Sequence, residues 1–158
     1  GAPYGCVSYV VFGKASGEAV ELSRVALGQG GFAIRGWGSS VSGAGDLNGD
    51  GLSDLLIGAP GANPGGRSRA GASYVVFGKA TTEAVELSAV AAGQGGHAIL
   101  GFVGRDYSHL EVSEAGDVNG DGIPDLFFGA HGASPGDRSR AGASYVVFGK
   151  STTVAVEL

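Results

Sequence analysis

Short apolar runs, most of them closed by glycine, recur along the chain. Examples are Tyr9-Val10-Val11-Phe12-Gly13, Leu55-Leu56-Ile57-Gly58, Tyr74-Val75-Val76-Phe77-Gly78 and Leu126-Phe127-Phe128-Gly129. They are too short for helices and rich in β-branched and aromatic residues, so they predict strands, and the Leu55 and Leu126 runs read as buried ones. One repeating unit contains four. Strand one covers residues 40–44 and again 111–115, and strand two covers 54–59 and 125–130. A polar loop rich in glycine follows, at 60–70 and 131–141. Strand three is the Tyr-Val-Val-Phe-Gly run, and strand four covers 32–35 and 97–100. Between strands three and four lies a Thr/Ser/Ala-rich link through Ala84-Val85-Glu86-Leu87, where Ser23 and Ser88 could cap a short helical turn. Four short antiparallel strands with turns between them make a β-propeller blade, so the predicted fold class is all-β.

Internal repetition dominates the sequence. Gly71-Ala72-Ser73-Tyr74-Val75-Val76-Phe77-Gly78-Lys79 returns as Gly142-Ala143-Ser144-Tyr145-Val146-Val147-Phe148-Gly149-Lys150, and a related run ends at Lys14. Phe77 and Phe148 are 71 residues apart, Phe12 and Phe77 are 65 apart, and the difference falls between strand four and the next strand one. The division predicted is a partial blade at 1–38, a blade at 39–102, and a blade at 103–158 that lacks its fourth strand. Two blades and part of a third cannot close a ring of the usual four to eight. The expectation is therefore a piece of a longer propeller, or several copies that complete one.

Between strands one and two lies the nine-residue stretch Asp46-Leu47-Asn48-Gly49-Asp50-Gly51-Leu52-Ser53-Asp54. It returns as Asp117-Val118-Asn119-Gly120-Asp121-Gly122-Ile123-Pro124-Asp125. Oxygen-bearing side chains stand at positions 1, 3, 5 and 9. Gly51 and Gly122, at position 6, can take the positive φ of a sharp turn. Position 7 (Leu52, Ile123) can offer only its carbonyl. Such an all-oxygen, anionic set suits calcium better than magnesium, because a cage of protein oxygens favours the larger and more flexible ion. An EF-hand is excluded: its position 12 needs a bidentate Glu, and the residues there are Ile57 and Phe128. A metal-free Asp-Gly hairpin turn is the bland alternative. It must explain why three crowded carboxylates recur in both copies with no cation to offset their repulsion.

Composition narrows the function classes. The 158 residues are 43% hydrophobic and only 16% charged, with 32 glycines, which here punctuate strands. The formal charge is −5, and two calcium ions would bring it close to neutral. No basic patch points to nucleic acid, and no apolar run is long enough for a transmembrane helix. No signal peptide is visible, which fits a mature chain, a fragment or a cytosolic protein. Cys6 is the single cysteine, so no internal disulfide can form; alternation with Val7, Tyr9 and Val11 suggests a packed small residue.

The Val76-Phe77-Gly78 and Ile57-Gly58-Ala59-Pro60 motifs, flanking an Asp-x-Asn-x-Asp-Gly-x-x-Asp loop, resemble FG-GAP repeats. These are the repeats of integrin α-subunit propellers and of many bacterial surface proteins, and the resemblance covers nearly the whole chain. It implies a propeller, usually seven-bladed, with calcium in the hairpin loop between the first two strands of a blade. Carried over by position, the metal ligands would be Asp46, Asn48, Asp50, Leu52 (carbonyl) and Asp54. The second set would be Asp117, Asn119, Asp121, Ile123 (carbonyl) and Asp125. His131 stands where the Gly-Ala-Pro motif has proline, which alters a turn and not a ligand.

Other candidates read as structural. Arg67-Ser68-Arg69 and Arg138-Ser139-Arg140 are expected on surface loops, paired with nearby acids. His97, His109 and His131 are dispersed and unrepeated, which argues against zinc. Ser108, His109 and Asp106 lack the context of a nucleophile. Trp37, Phe102 and Tyr107 are expected in inter-blade packing. The expectation is a non-enzymatic calcium-binding propeller module serving adhesion or assembly, outside the cell or on its surface, bacterial secreted or periplasmic. It would work with a protein partner, with further blades, or with copies of itself. Two alternatives stand beside it: an accessory propeller of an extracellular hydrolase, and a structural subunit of a larger assembly.

Overall fold

The computed structural model describes residues 6–63, 66, 71–100, 110–134, 138, 140–150 and 152–157. The first sheet contains β1 (Val7–Val11) and β2 (Gly31–Arg35), antiparallel, with β6 (Val85–Glu86) added parallel to β2. The second contains β3 (Ser40–Gly43), β4 (Leu55–Ala59), β5 (Ala72–Val76) and β7 (Gly96–Leu100) as neighbouring antiparallel strands. To these β11 (Val156–Glu157) adds in parallel. The third contains β8 (Leu110–Gly116), β9 (Asp125–Ala130) and β10 (Ala143–Val147). The short helices are α1 (Leu22–Val25) and α2 (Leu87–Ala91). The chain is mostly β. It comprises one complete four-stranded blade, strands three and four of the blade before it, and strands one to three of the blade after it.

The second sheet is sandwiched, which explains its continuous apolar runs. On one face Leu56, Val75 and Ile99 pack with Leu126, Phe128 and Ala130 of the third sheet. On the other, Ile57 and Val76 pack with Phe32 and Ile34 of the first sheet and with Leu87 and Val90 of α2. Each such side chain taken out of water contributes about 1.5–3 kcal/mol. The same Tyr-Val-Val run behaves differently by position. In β5 it is buried on both faces; in β1 and β10 alternate residues are exposed, because each of those sheets is covered on one side only.

The structure moves some predicted boundaries. The third strands start and end earlier than expected, so Phe77-Gly78 and Phe148-Gly149 lie beyond them. Ser23 and Ser88 sit inside the helices and do not cap them; Glu21 and Glu86 hold the N-cap positions, without a side-chain cap bond. The link through Val85-Glu86 is not merely a connection. It crosses to the preceding blade as β6, with Ile34 opposite Val85 and Arg35 opposite Glu86, a register marked by a 3.2 Å ion pair between Arg35 and Glu86. The last Val-Glu pair makes the equivalent crossing as β11. Cys6 is exposed rather than packed, standing just before β1. Trp37 is 61% exposed and makes no inter-blade core. Phe102, Tyr107, Asp106, Ser108 and His109 lie outside the described residues, as do Arg67, Ser68, Arg69 and Ser139. Arg138 and Arg140 are exposed as expected, but neither forms an ion pair with an acid among the described residues.

Candidate metal centre

Both nine-residue loops connect the first and second strands of a blade, and both fold alike. The turn is wound around its first aspartate. The Oδ1 of Asp46 accepts the N–H groups of Gly49 (2.8 Å) and Asp50 (3.1 Å), and its Oδ2 accepts that of Gly51 (2.9 Å). Asp117 repeats this with Gly120, Asp121 and Gly122 at 2.7, 3.1 and 2.9 Å. Asn48 Oδ1 accepts the Asp50 N–H, and Asp50 Oδ1 accepts that of Leu52; Asn119, Asp121 and Ile123 do the same. Gly51 and Gly122 take φ of +84° and +88°, as the turn requires.

Position 9 is treated differently from the rest. Asp54 and Asp125 are fully buried, whereas most of the loop tip is exposed. Asp54 Oδ2 accepts the Leu47 N–H at 2.8 Å and its Oδ1 accepts the Gly78 N–H at 2.7 Å. Asp125 accepts those of Val118 (2.8 Å) and Gly149 (2.9 Å), with Asn119 N–H at 3.3 Å. The Phe-Gly glycine that follows strand three is therefore part of the loop's own scaffold. It also packs where no side chain fits. A Cβ on Gly78 would stand 2.6 Å from the Ser53 carbonyl oxygen, and one on Gly149 would stand 2.1 Å from that of Pro124. Sequence reading located the acids and missed this tie. The visible signal was that Phe-Gly keeps a fixed distance from the loop in both copies.

The electrostatics are unfavourable as the loop stands. Burial pushes the Asp54 carboxyl above its ordinary value. The Gly78 and Leu47 N–H groups pull it down, and the Asp50 and Asp46 carboxylates push it up again. So three carboxylates of the loop sense one another, and no lysine or arginine is paired with them among the described residues. They are not drawn together as a formed coordination sphere. Among the described residues no group of three or more His, Cys, Asp or Glu side chains stands at metal-binding spacing. Asn48 and Asn119 turn their amide nitrogens to Asp50 and Asp121, at 3.0 and 2.9 Å. The loop thus brings the predicted acids into one neighbourhood, held by backbone N–H groups. Its donor set, three carboxylates with an amide oxygen and a carbonyl, fits a hard divalent cation in chemistry and charge.

The FG-GAP repeat family matches this chain over residues 37–76 and 113–147, the two stretches that carry the loops and the strands around them. The chain belongs to the FG-GAP repeat family. Phosphatidylinositol-glycan-specific phospholipase D of Rattus norvegicus is 36% identical over 122 residues, 75% of this chain and 13% of that protein. Integrin alpha pat-2 of Caenorhabditis briggsae is 36% identical over 100 residues, 60% of this chain and 7% of that protein. Integrin alpha-5 of Xenopus laevis is 36% identical over 98 residues, covering 61% and 8% respectively. This FG-GAP chain therefore spans about a seventh or less of the length of the curated relatives it matches. Among the described residues no helix is long and apolar enough to cross a membrane.

Proposed function

We propose that this FG-GAP chain is a calcium-binding propeller module, non-enzymatic, working in adhesion or assembly outside the cell or on its surface. The observation that carries the reading is Asp54: a fully buried carboxylate pressed by two more, with no cationic side chain paired to them among the described residues. A calcium ion in each loop would supply the missing charge. Asp46, Asn48, Asp50, Asp54 and the Leu52 carbonyl would hold the first, and Asp117, Asn119, Asp121, Asp125 and the Ile123 carbonyl the second. The ion's contribution is structural, since it joins strands one and two of a blade and links folding to metal binding. At a hundredfold excess over its dissociation constant one ion contributes about 2.7 kcal/mol. Thermal unfolding in calcium and in chelator tests this. The melting temperature should rise in calcium, and Asp50→Asn should remove part of the rise; superimposable curves would refute the reading.

The uncovered sheet faces support partners of the same architecture. Val7, Tyr9 and Val11 on β1, Phe127 and Val146 on the third sheet, and Phe148 just beyond β10, are 37–59% exposed. Their counterparts in the second sheet are covered by neighbouring blades. Further blades or further copies would fit there. The similarity to a phospholipase D keeps one other reading in view, an accessory propeller of an extracellular hydrolase. On that reading, hydrolysis appears only when a catalytic domain is attached. Turnover of a glycosylphosphatidylinositol by this chain alone would overturn the non-enzymatic assignment.

A further inference from the structure

The two junctions between blades are built on one plan, and they differ in the ring that meets the lysine. At the first, Phe32, the second residue of β2, meets Phe12 edge-on, with ring centroids 6.0 Å apart. Lys79, from just beyond the Phe-Gly of the second blade, sets its ammonium 4.6 Å from the Phe32 ring centroid and donates to the Glu83 carbonyl. At the second junction His97 takes the place of Phe32. It meets Phe77 edge-on at 6.1 Å, while Lys150 takes the place of Lys79 and donates to the Val154 carbonyl. A lysine over a phenyl ring is attractive. A lysine beside an imidazole is tolerable only while the imidazole is neutral.

We propose that the junction between the second and third blades is an acid-sensitive seam, loosened when His97 takes up a proton opposite Lys150, and that the first junction is indifferent to acid. His97 is 2% exposed, and its Nδ1 has no hydrogen-bond partner among the described residues. Among the described residues no carboxylate is paired with it. From β5 it faces Val75, with Ser73 on the same face of the sheet. Helix α2 carries no charged residue. From the third sheet, Leu126, Phe128, Tyr145 and Val147 pack into the same core. The β9 carboxylate, Asp125, is engaged by backbone N–H groups, and Glu111 and Glu114 on β8 are exposed. In β11, Glu157 stands in register with Leu100, three residues along β7. The charge that acts on His97 is the Lys150 ammonium. Burial first, and Lys150 second, lower its pKa from 6.5 to about 4. The sign follows: a folded-state value below the unfolded one leaves stability intact above pH 6.5 and removes it as pH falls from there toward 4.

Hydrogen exchange of the chain in saturating calcium, corrected for intrinsic rates, reads the seam directly. Between pH 7.5 and 5, protection of the β9 and β10 amides should fall on the order of twentyfold. Protection of β1 and β2 should fall much less. His97→Phe, which copies the first junction, should abolish the difference, and an equal fall in that variant would overturn the proposal. A proton-NMR titration of the wild-type imidazole is independent of any variant's folding. A midpoint well below that of an ordinary histidine is expected, moving up in Lys150→Gln; a midpoint near 6.5 would overturn the proposal.

Discussion

Gly78 and Gly149 show how much one missing Cβ can decide. Each donates its N–H to a buried aspartate, and each lets the back of the acidic loop pass closer than any side chain would allow. Gly78→Ala should therefore cost about 1–3 kcal/mol through overpacking and should weaken calcium binding in the same loop. Gly61→Ala is the control: no atom lies within 4 Å of the added Cβ, and its urea midpoint should match the wild type. Equal midpoints for all three proteins would remove the glycine from the scaffold. The acids were legible in the sequence because their spacing is itself the chemistry. The tie from Phe-Gly was not, since it crosses 24 residues and involves a backbone N–H that no residue type advertises.

At the scale of elements, the helical link behaves as a plug. Leu87 is buried at 4% exposure beneath Gly36, where an added Cβ would come within 2.8 Å of its side chain. Leu87→Ala should cost about 2–5 kcal/mol. Leu22 holds the same place on α1, is 50% exposed, and should cost well under 1 kcal/mol when truncated. Chemical denaturation of both variants checks the contrast, and similar losses would contradict the stacking described. Strands two and four were readable from short apolar runs. The parallel β6 and β11 were not, because a two-residue strand has no periodicity and its partner belongs to the previous blade. Trp37 is exposed for a related reason: aromatic character predicts burial only where a neighbouring sheet supplies the other wall.

For the whole molecule, the sheets stack in one direction and leave unlike apolar faces at the two ends. The account predicts reversible association that grows with concentration, reduced by Tyr9→Lys at one end and by Val146→Lys at the other. Sedimentation velocity showing the same monomer at every concentration would contradict it. Calcium enters at this scale as well, since two ions would nearly cancel the net charge of −5 and link both acidic loops to the stability of the stack. Calorimetric titration of calcium into chelator-stripped protein tests that claim most directly. The account predicts two ions bound per chain, falling to one in Asp50→Asn and to one in Asp121→Asn. Absence of saturable binding, or a stoichiometry that ignores both substitutions, would contradict it.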